Sequence, residues 1–170
     1  MPLIKTIYQK IISLLIAPKI NAAQAWQAQG GESRHAFWMY ATPVNMQLGR
    51  DSYFLTDPAS IAISQAESVA LTDSLNTHFS GLGYYFYLAN DIWFLGLDQN
   101  PKITATNIEI VKNNDIAKYL PQGEGALAWN TLQNEIQMLL FSHSVNQARE
   151  AKGLPVINSL WCYGLGESLK

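Results

Sequence analysis

His143, Asn146, Arg149 and Lys152 are the residues whose types and spacing best suit ligand chemistry in this sequence. On a short helix, residues three apart share a face, so Asn146, Arg149 and Lys152 project together with His143 at the junction before them. An arginine supplies a planar fork that matches a carboxylate or phosphate, and amides at a helix start add a positive dipole end. The chemistry expected of this group is capture of a small anionic metabolite. A plainer reading stays open beside it, with Arg149 paired to a surface carboxylate, Asn146 in solvent and His143 closing the preceding helix.

Other residues stand near this group. Glu135 precedes His143 by about two helical turns and could orient it or act as a base, or simply be a solvated carboxylate. Asn158 interrupts an apolar run, so its amide must find partners; tying the run to a neighbouring loop is expected ahead of ligand binding. Gly164 and Gly166 would let backbone approach a phosphate, but no helix follows them to supply anion-binding amides. Cys162 follows Trp161 with no cation beside it and reads as an inert buried thiol.

Several chemistries lack their parts. One cysteine rules out an intrachain disulfide and a multi-cysteine zinc site, and His35, His78 and His143 show no metal-ligand spacing, so neither a metal nor a cofactor is expected. No GxSxG elbow or GxxxxGK[ST] loop occurs. A net charge of -2 gives no broad positive field for nucleic acid. With 48% hydrophobic and 14% charged residues, the 170-residue chain can bury its own core, and its apolar runs are too short to span a bilayer.

The elements that must position these residues follow from periodicity and punctuation. The stretch from Leu3 to Ile16 reads as an amphipathic helix stopped by Pro18, and a signal peptide is the alternative for the same stretch. Cytoplasmic placement is the expectation. A short helix is expected over Ala22 to Gln29, then a hairpin with arms Val44 to Gln47 and Ser52 to Leu55, entered at Pro43. Ser64 and Glu67 form a capping box for a helix over 65–79, with Val69, Leu71, Leu75 and Phe79 near one face. Strands Tyr84 to Ala89 and Ile92 to Leu97 flank a two-residue turn. Trp129, Leu132, Ile136, Leu139 and Leu140 recur at three or four and predict a long helix over 126–142. Ser144 and Gln147 suggest a second capping box, and Val156 to Trp161 a buried terminal strand. The fold class is α+β: one compact domain, with a mostly antiparallel or mixed sheet built from hairpins, a long amphipathic helix and a C-terminal strand.

The run from Asn134 to Gly153, followed by Pro155, Asn158 to Trp161, Gly164 and Gly166, resembles the bacterial regulatory protein family of the RpfE type, whose members are described as cofactor-independent, archaeal-type phosphoglycerate mutase-like. The likeness is tight over 134–166 and looser from about 35, through Pro43 to Asn45, Leu75 to Phe79 and Leu120 to Gly123. Such mutases carry a similar segment, matched here by His143, Val145, Asn146, Arg149, Gly153, Leu154, Pro155, Asn158, Gly164 and Gly166. Ser144 stands where the family has proline, and Tyr163 where the mutases usually have arginine. The resemblance implies two divalent metals held by an Asp-Gly segment and by further aspartates and histidines around a serine or threonine nucleophile, yet this chain has no Asp-Gly dipeptide. A non-catalytic role is therefore expected, binding a small anionic metabolite or a protein partner. The alternatives are a metal-dependent mutase-like phosphotransferase and a pure interaction module using the exposed part of Trp26, Trp38, Trp93 and Trp161.

Overall fold

A computed structural model describes residues 21–50, 52–112 and 114–168. The expected helix over 3–16, and the signal peptide weighed against it, lie outside them. An antiparallel sheet of four strands is the frame: β1 (Phe37–Val44), β4 (Tyr84–Ala89), β5 (Ile92–Leu97) and β6 (Ser159–Glu167), in the order β4-β5-β1-β6. The turn Asn90-Asp91 joins β4 to β5 with both residues at positive φ, +47° and +63°, the pattern of a tight hairpin turn. A separate small hairpin pairs β2 (Met46–Leu48) with β3 (Tyr53–Leu55). The fold is α+β, as expected.

Alternation along the strands sends side chains to two buried faces. Met39, Ala41, Leu95, Leu97, Leu160 and Cys162 face one core, covered by α3 (Gln65–His78) and α5 (Ala126–Phe141). Leu71 and Leu75 supply α3's share; Trp129, Leu132, Ile136 and Leu140 supply that of α5. Trp38 and Phe94 face the other way, onto α1 (Ala22–Ala28). A third cluster joins Val44, Leu55 and Trp161 to the short helix α4 (Ile108–Val111) and to Ile116 in a 3-10 turn.

Several expectations need correction. The hairpin arm placed at Val44 to Gln47 is only part of the story, because the residues before it form the long strand β1. Pro43 lies inside β1 rather than at a strand entry. It is tolerated because pairing with β5 ends at Tyr40, so at Pro43 the strand has β6 as its one neighbour. Val69 points to solvent, and Ser68 and Thr72 take the core side of α3. The terminal strand starts at Ser159, not Val156, and continues through both glycines. Between Trp38 and Tyr40 the β1–β6 register shifts, with Gly164 at φ +69° forming the bulge.

Three asparagines stand in for strand neighbours. The Asn76 carboxamide donates to Phe86 O and accepts from Phe86 N, both at 2.8 Å, closing the free edge of β4. Asn158 does the same with Met46, donating at 2.8 Å and accepting at 2.7 Å. Asn146 does it with Ile157, donating at 2.7 Å and accepting at 2.8 Å. A side-chain amide reproduces the donor and acceptor of a peptide group, so each pair satisfies backbone groups that no strand reaches.

Candidate functional site

The segment 143–166 runs through α6 (Ser144–Ala151) into β6. His143, not Ser144, is the N-cap of α6, so the second capping box does not form. His143 Nδ1 accepts from Val145 N at 3.1 Å, which leaves Nε2 to carry the proton and donate to Ser74 Oγ at 2.8 Å. Gln147 turns back to donate to Ser142 O instead of closing a box.

Asn146 and Arg149 do share a face, and that face is the buried one. Arg149 is 1% exposed. Its Nε donates to Pro155 O at 2.7 Å, Nη1 to both Glu67 carboxylate oxygens at 3.0 and 3.1 Å, and Nη2 to Ile61 O. The anion its fork meets is the chain's own Glu67, the capping glutamate of α3. Asn146, 4% exposed, donates to Leu140 O as well as to Ile157 O. Lys152 is the C-cap of α6, exposed and apart from these two. Glu135 does not reach His143; it meets His78 Nε2 at 3.3 Å. The structure thus joins Arg149 to Glu67 and Asn146 to Leu140 and Ile157, and leaves Glu135 and Lys152 outside both groups.

The electrostatics of Glu67 follow from this packing. Burial alone would raise its carboxyl, but the Ser64 amide, the Ser64 hydroxyl and the Arg149 guanidinium together hold it below the usual carboxylate range. Cys162 is buried at the other extreme, its thiol pushed up to about 12 by desolvation against a weak contact from Gln133. We expect native Cys162 to resist a thiol-disulfide reagent at pH 8 and to react at once in denaturant; fast labelling of the native chain would contradict the burial described.

At the glycines, substitution has no room. A Cβ on Gly164 would lie 2.8 Å from the Tyr40 ring, and one on Gly166 would overlap the Asn21 side chain. Tyr163, next to Gly164 in β6, stacks on Tyr40 at 5.0 Å.

One polar cluster was not foreseen. His35 Nδ1 contacts Asp98 Oδ1 at 3.0 Å, His35 Nε2 contacts the Tyr87 hydroxyl at 2.7 Å, and Tyr85 donates to Asp98 Oδ2 at 3.0 Å. The imidazole stacks on Tyr85 at 4.1 Å and lies over Gly96, where a Cβ would collide with it. Burial raises the Tyr87 phenol, so it serves as a neutral donor rather than a nucleophile. These partners are 52 and 63 residues from His35, a separation that leaves no local signal.

Two cavities flank Trp129. One, of 370 Å³, lies between α5 and β6 beside the small hairpin, and carboxamides of Asn130, Gln133, Asn134 and Gln137 line it. The other, of 540 Å³, lies between the start of α5, the turn at 81–84 and the loop 98–102. Among the described residues no group of three His, Cys, Asp or Glu could hold a metal ion. Nor is any described helix long and apolar enough to cross a membrane.

The probable 2,3-bisphosphoglycerate-independent phosphoglycerate mutase of Geobacter sulfurreducens is 27% identical over 127 residues, covering 74% of this chain and 32% of that relative. This chain is similar to phosphoglycerate mutases. The cofactor-independent phosphoglycerate mutase of Thermoplasma acidophilum shares its fold, with a TM-score of 0.58 at 17% identity over 86% of this chain and 42% of that one. No family model matches. The chain spans about a third of the curated relative's length, so the mutase likeness describes one portion of such an enzyme.

Proposed function

We propose that the chain is a non-catalytic, RpfE-type regulatory protein that uses a phosphoglycerate mutase-like fold to bind a small phosphorylated or carboxylate metabolite. The observation that carries this reading is the condition of Arg149. It is the residue of the mutase-like segment best fitted to hold a substrate anion, and its guanidinium is bonded to Glu67 and two carbonyls. Asn146 and Asn158 are likewise engaged with backbone. In this chain the segment builds the scaffold, and a metal-dependent phosphotransferase would need ligands from outside the described residues.

A second reading, a protein-interaction module, has its own observation. Leu127, Met138 and Phe141 of α5 are 81%, 74% and 86% exposed. The tryptophans do not serve that reading: Trp38, Trp93 and Trp161 are buried in the cores, and Trp26 stacks on Trp38 at 4.6 Å.

Titration of the full chain with 3-phosphoglycerate, with and without manganese, tests the proposal. At about 100 times its dissociation constant a ligand adds roughly 2.7 kcal/mol, or about 5–10 °C in Tm for a chain of this size. The expected shift is the same without manganese. A shift that requires the metal, or turnover, would overturn the non-catalytic reading; a flat response at millimolar ligand would overturn metabolite binding.

A further inference from the structure

Pairing on one side of β6 fixes what its other side presents. In an antiparallel ladder, opposed residues alternate between pairs that exchange both hydrogen bonds and pairs whose N–H and C=O groups point away from each other. Pro43 has no N–H to give, so its pairing with Leu160 is of the second kind, and so is the pairing of Ala41 with Cys162 two residues on. Leu160 and Cys162 therefore aim their own N–H and C=O groups away from β1. That side is an edge of the sheet, because β1 is the one strand beside β6 among the described residues. Asn76 closes the free edge of β4, but among the described residues no hydrogen bond reaches the outward groups of Leu160 and Cys162. Both residues are buried, and a buried peptide group calls for a partner.

The 370 Å³ cavity lies on this edge. Ser159, Leu160, Trp161 and Cys162 all line it, and alternate side chains of a strand take opposite faces, so four in succession border one space along the backbone edge. Gln133 marks the same line: its carboxamide meets Ser159 Oγ at 3.3 Å and Cys162 Sγ at 3.9 Å, side chains of opposite parity. Walls rise on both sides of the edge. Asn130, Asn134 and Gln137 of α5 form one; Met46 and Ile116, with Tyr53 and Leu120 exposed at the rim, form the other. None of the described residues that line the cavity is charged.

We propose that this cavity receives an extended, uncharged peptide segment of a partner protein, added to the sheet as a fifth strand beside β6. The outward groups of Leu160 and Cys162 repeat at about 7 Å, the two-residue spacing of a strand, and another extended backbone has the same repeat. Such a segment supplies the donors and acceptors that the edge lacks and turns its alternate side chains to the carboxamide wall and the apolar wall. A charged segment would lose its hydration here and gain no counter-ion. The site is independent of metabolite binding.

The test selects peptides of about six residues, the usual strand length, from a random phage-displayed library against the immobilised full chain. The selected peptides are synthesised with capped ends, and amide hydrogen exchange of the ¹⁵N-labelled chain is followed with and without them. Uncharged peptides are expected, and their binding slows exchange at Leu160 and Cys162 while Trp161, whose amide faces β1, changes little. Leu120→Lys and Asn134→Lys, both at exposed positions, put a charge on either wall and spare the core; each should weaken binding about tenfold or more. A library that yields no binder, binders that leave the Leu160 and Cys162 amides unchanged, or binding that neither lysine weakens would overturn the site. Protection of those two amides that grows with protein concentration alone, with dimers in sedimentation, would give the edge to a second copy of this chain and overturn the partner peptide.

Discussion

Replacing Arg149 with methionine is expected to cost about 3–5 kcal/mol, the usual penalty for removing one member of a buried ion pair. Methionine keeps much of the volume, so the loss is polar rather than a cavity. Glu67 loses its cation, and the carbonyls of Ile61 and Pro155 lose their donors. Those three groups belong to α3, to the helix α2 (Pro58–Ile61) and to the link between α6 and β6, so one side chain holds three segments together. Thermal unfolding should fall by roughly 10–15 °C for a chain of this size. The Glu67 carboxyl lies below its ordinary value in the folded chain, so its contribution is fully present above the unfolded value near 4.5 and is lost as the pH falls through the lower folded value. Wild-type stability should therefore decline with acid below about pH 4.5, and the decline should flatten in Arg149→Met. An Arg149→Met protein that melts within about 2 °C of wild type would overturn the clamp.

This clamp also shows where reading a sequence stops. Sharing of a face by Asn146 and Arg149 follows from a spacing of three and was visible at once. Which way that face points depends on Glu67, 82 residues away and separated from α6 by two strands and a long helix. Local spacing carries no record of such a partner. The elements set by local rules were legible: the Ser64–Glu67 capping box, the β4–β5 hairpin about Asn90-Asp91, and the four-residue core stripe of α5. β1 was not, because a strand buried on both faces by aromatics shows little alternation and Pro43 reads as a boundary. The cap of α6 was missed for a different reason. Serine is the commoner cap, but here His143, one residue earlier, places a ring nitrogen on the Val145 amide and secures its other nitrogen on Ser74 of α3. The sequence resemblance drawn over 134–166 carries no sign that Asn146 and Arg149 are occupied by their own chain.

Asn146 provides the sharpest separation of scaffold from site. Asn146→Leu preserves size and removes every polar atom, stranding Ile157 N and Ile157 O in a region where Asn146 itself is 4% exposed, while Leu140 O keeps the His143 amide. At about 1–3 kcal/mol for each of the two buried groups left unpaired, the expected loss is roughly 2–6 kcal/mol, with β6 freed from α6 at its entry. Asn146→Asp asks a finer question, because it keeps the acceptor for Ile157 N and converts the double donor into oxygen facing two carbonyls. Burial and those carbonyls both disfavour the charged form, so the introduced carboxyl has a folded pKa above its unfolded one. A raised carboxyl favours folding below the unfolded value and loses that advantage as the pH rises toward the folded value. Asn146→Asp should thus be least impaired in mild acid and most impaired at neutral pH, opposite in sign to the Glu67 contribution in the wild type. Urea unfolding of both variants at pH 4.5 and 7.5 separates the outcomes. A ligand contact in open solvent would give two variants of near wild-type stability with no pH dependence, and that result would return Asn146 to the list of anion contacts.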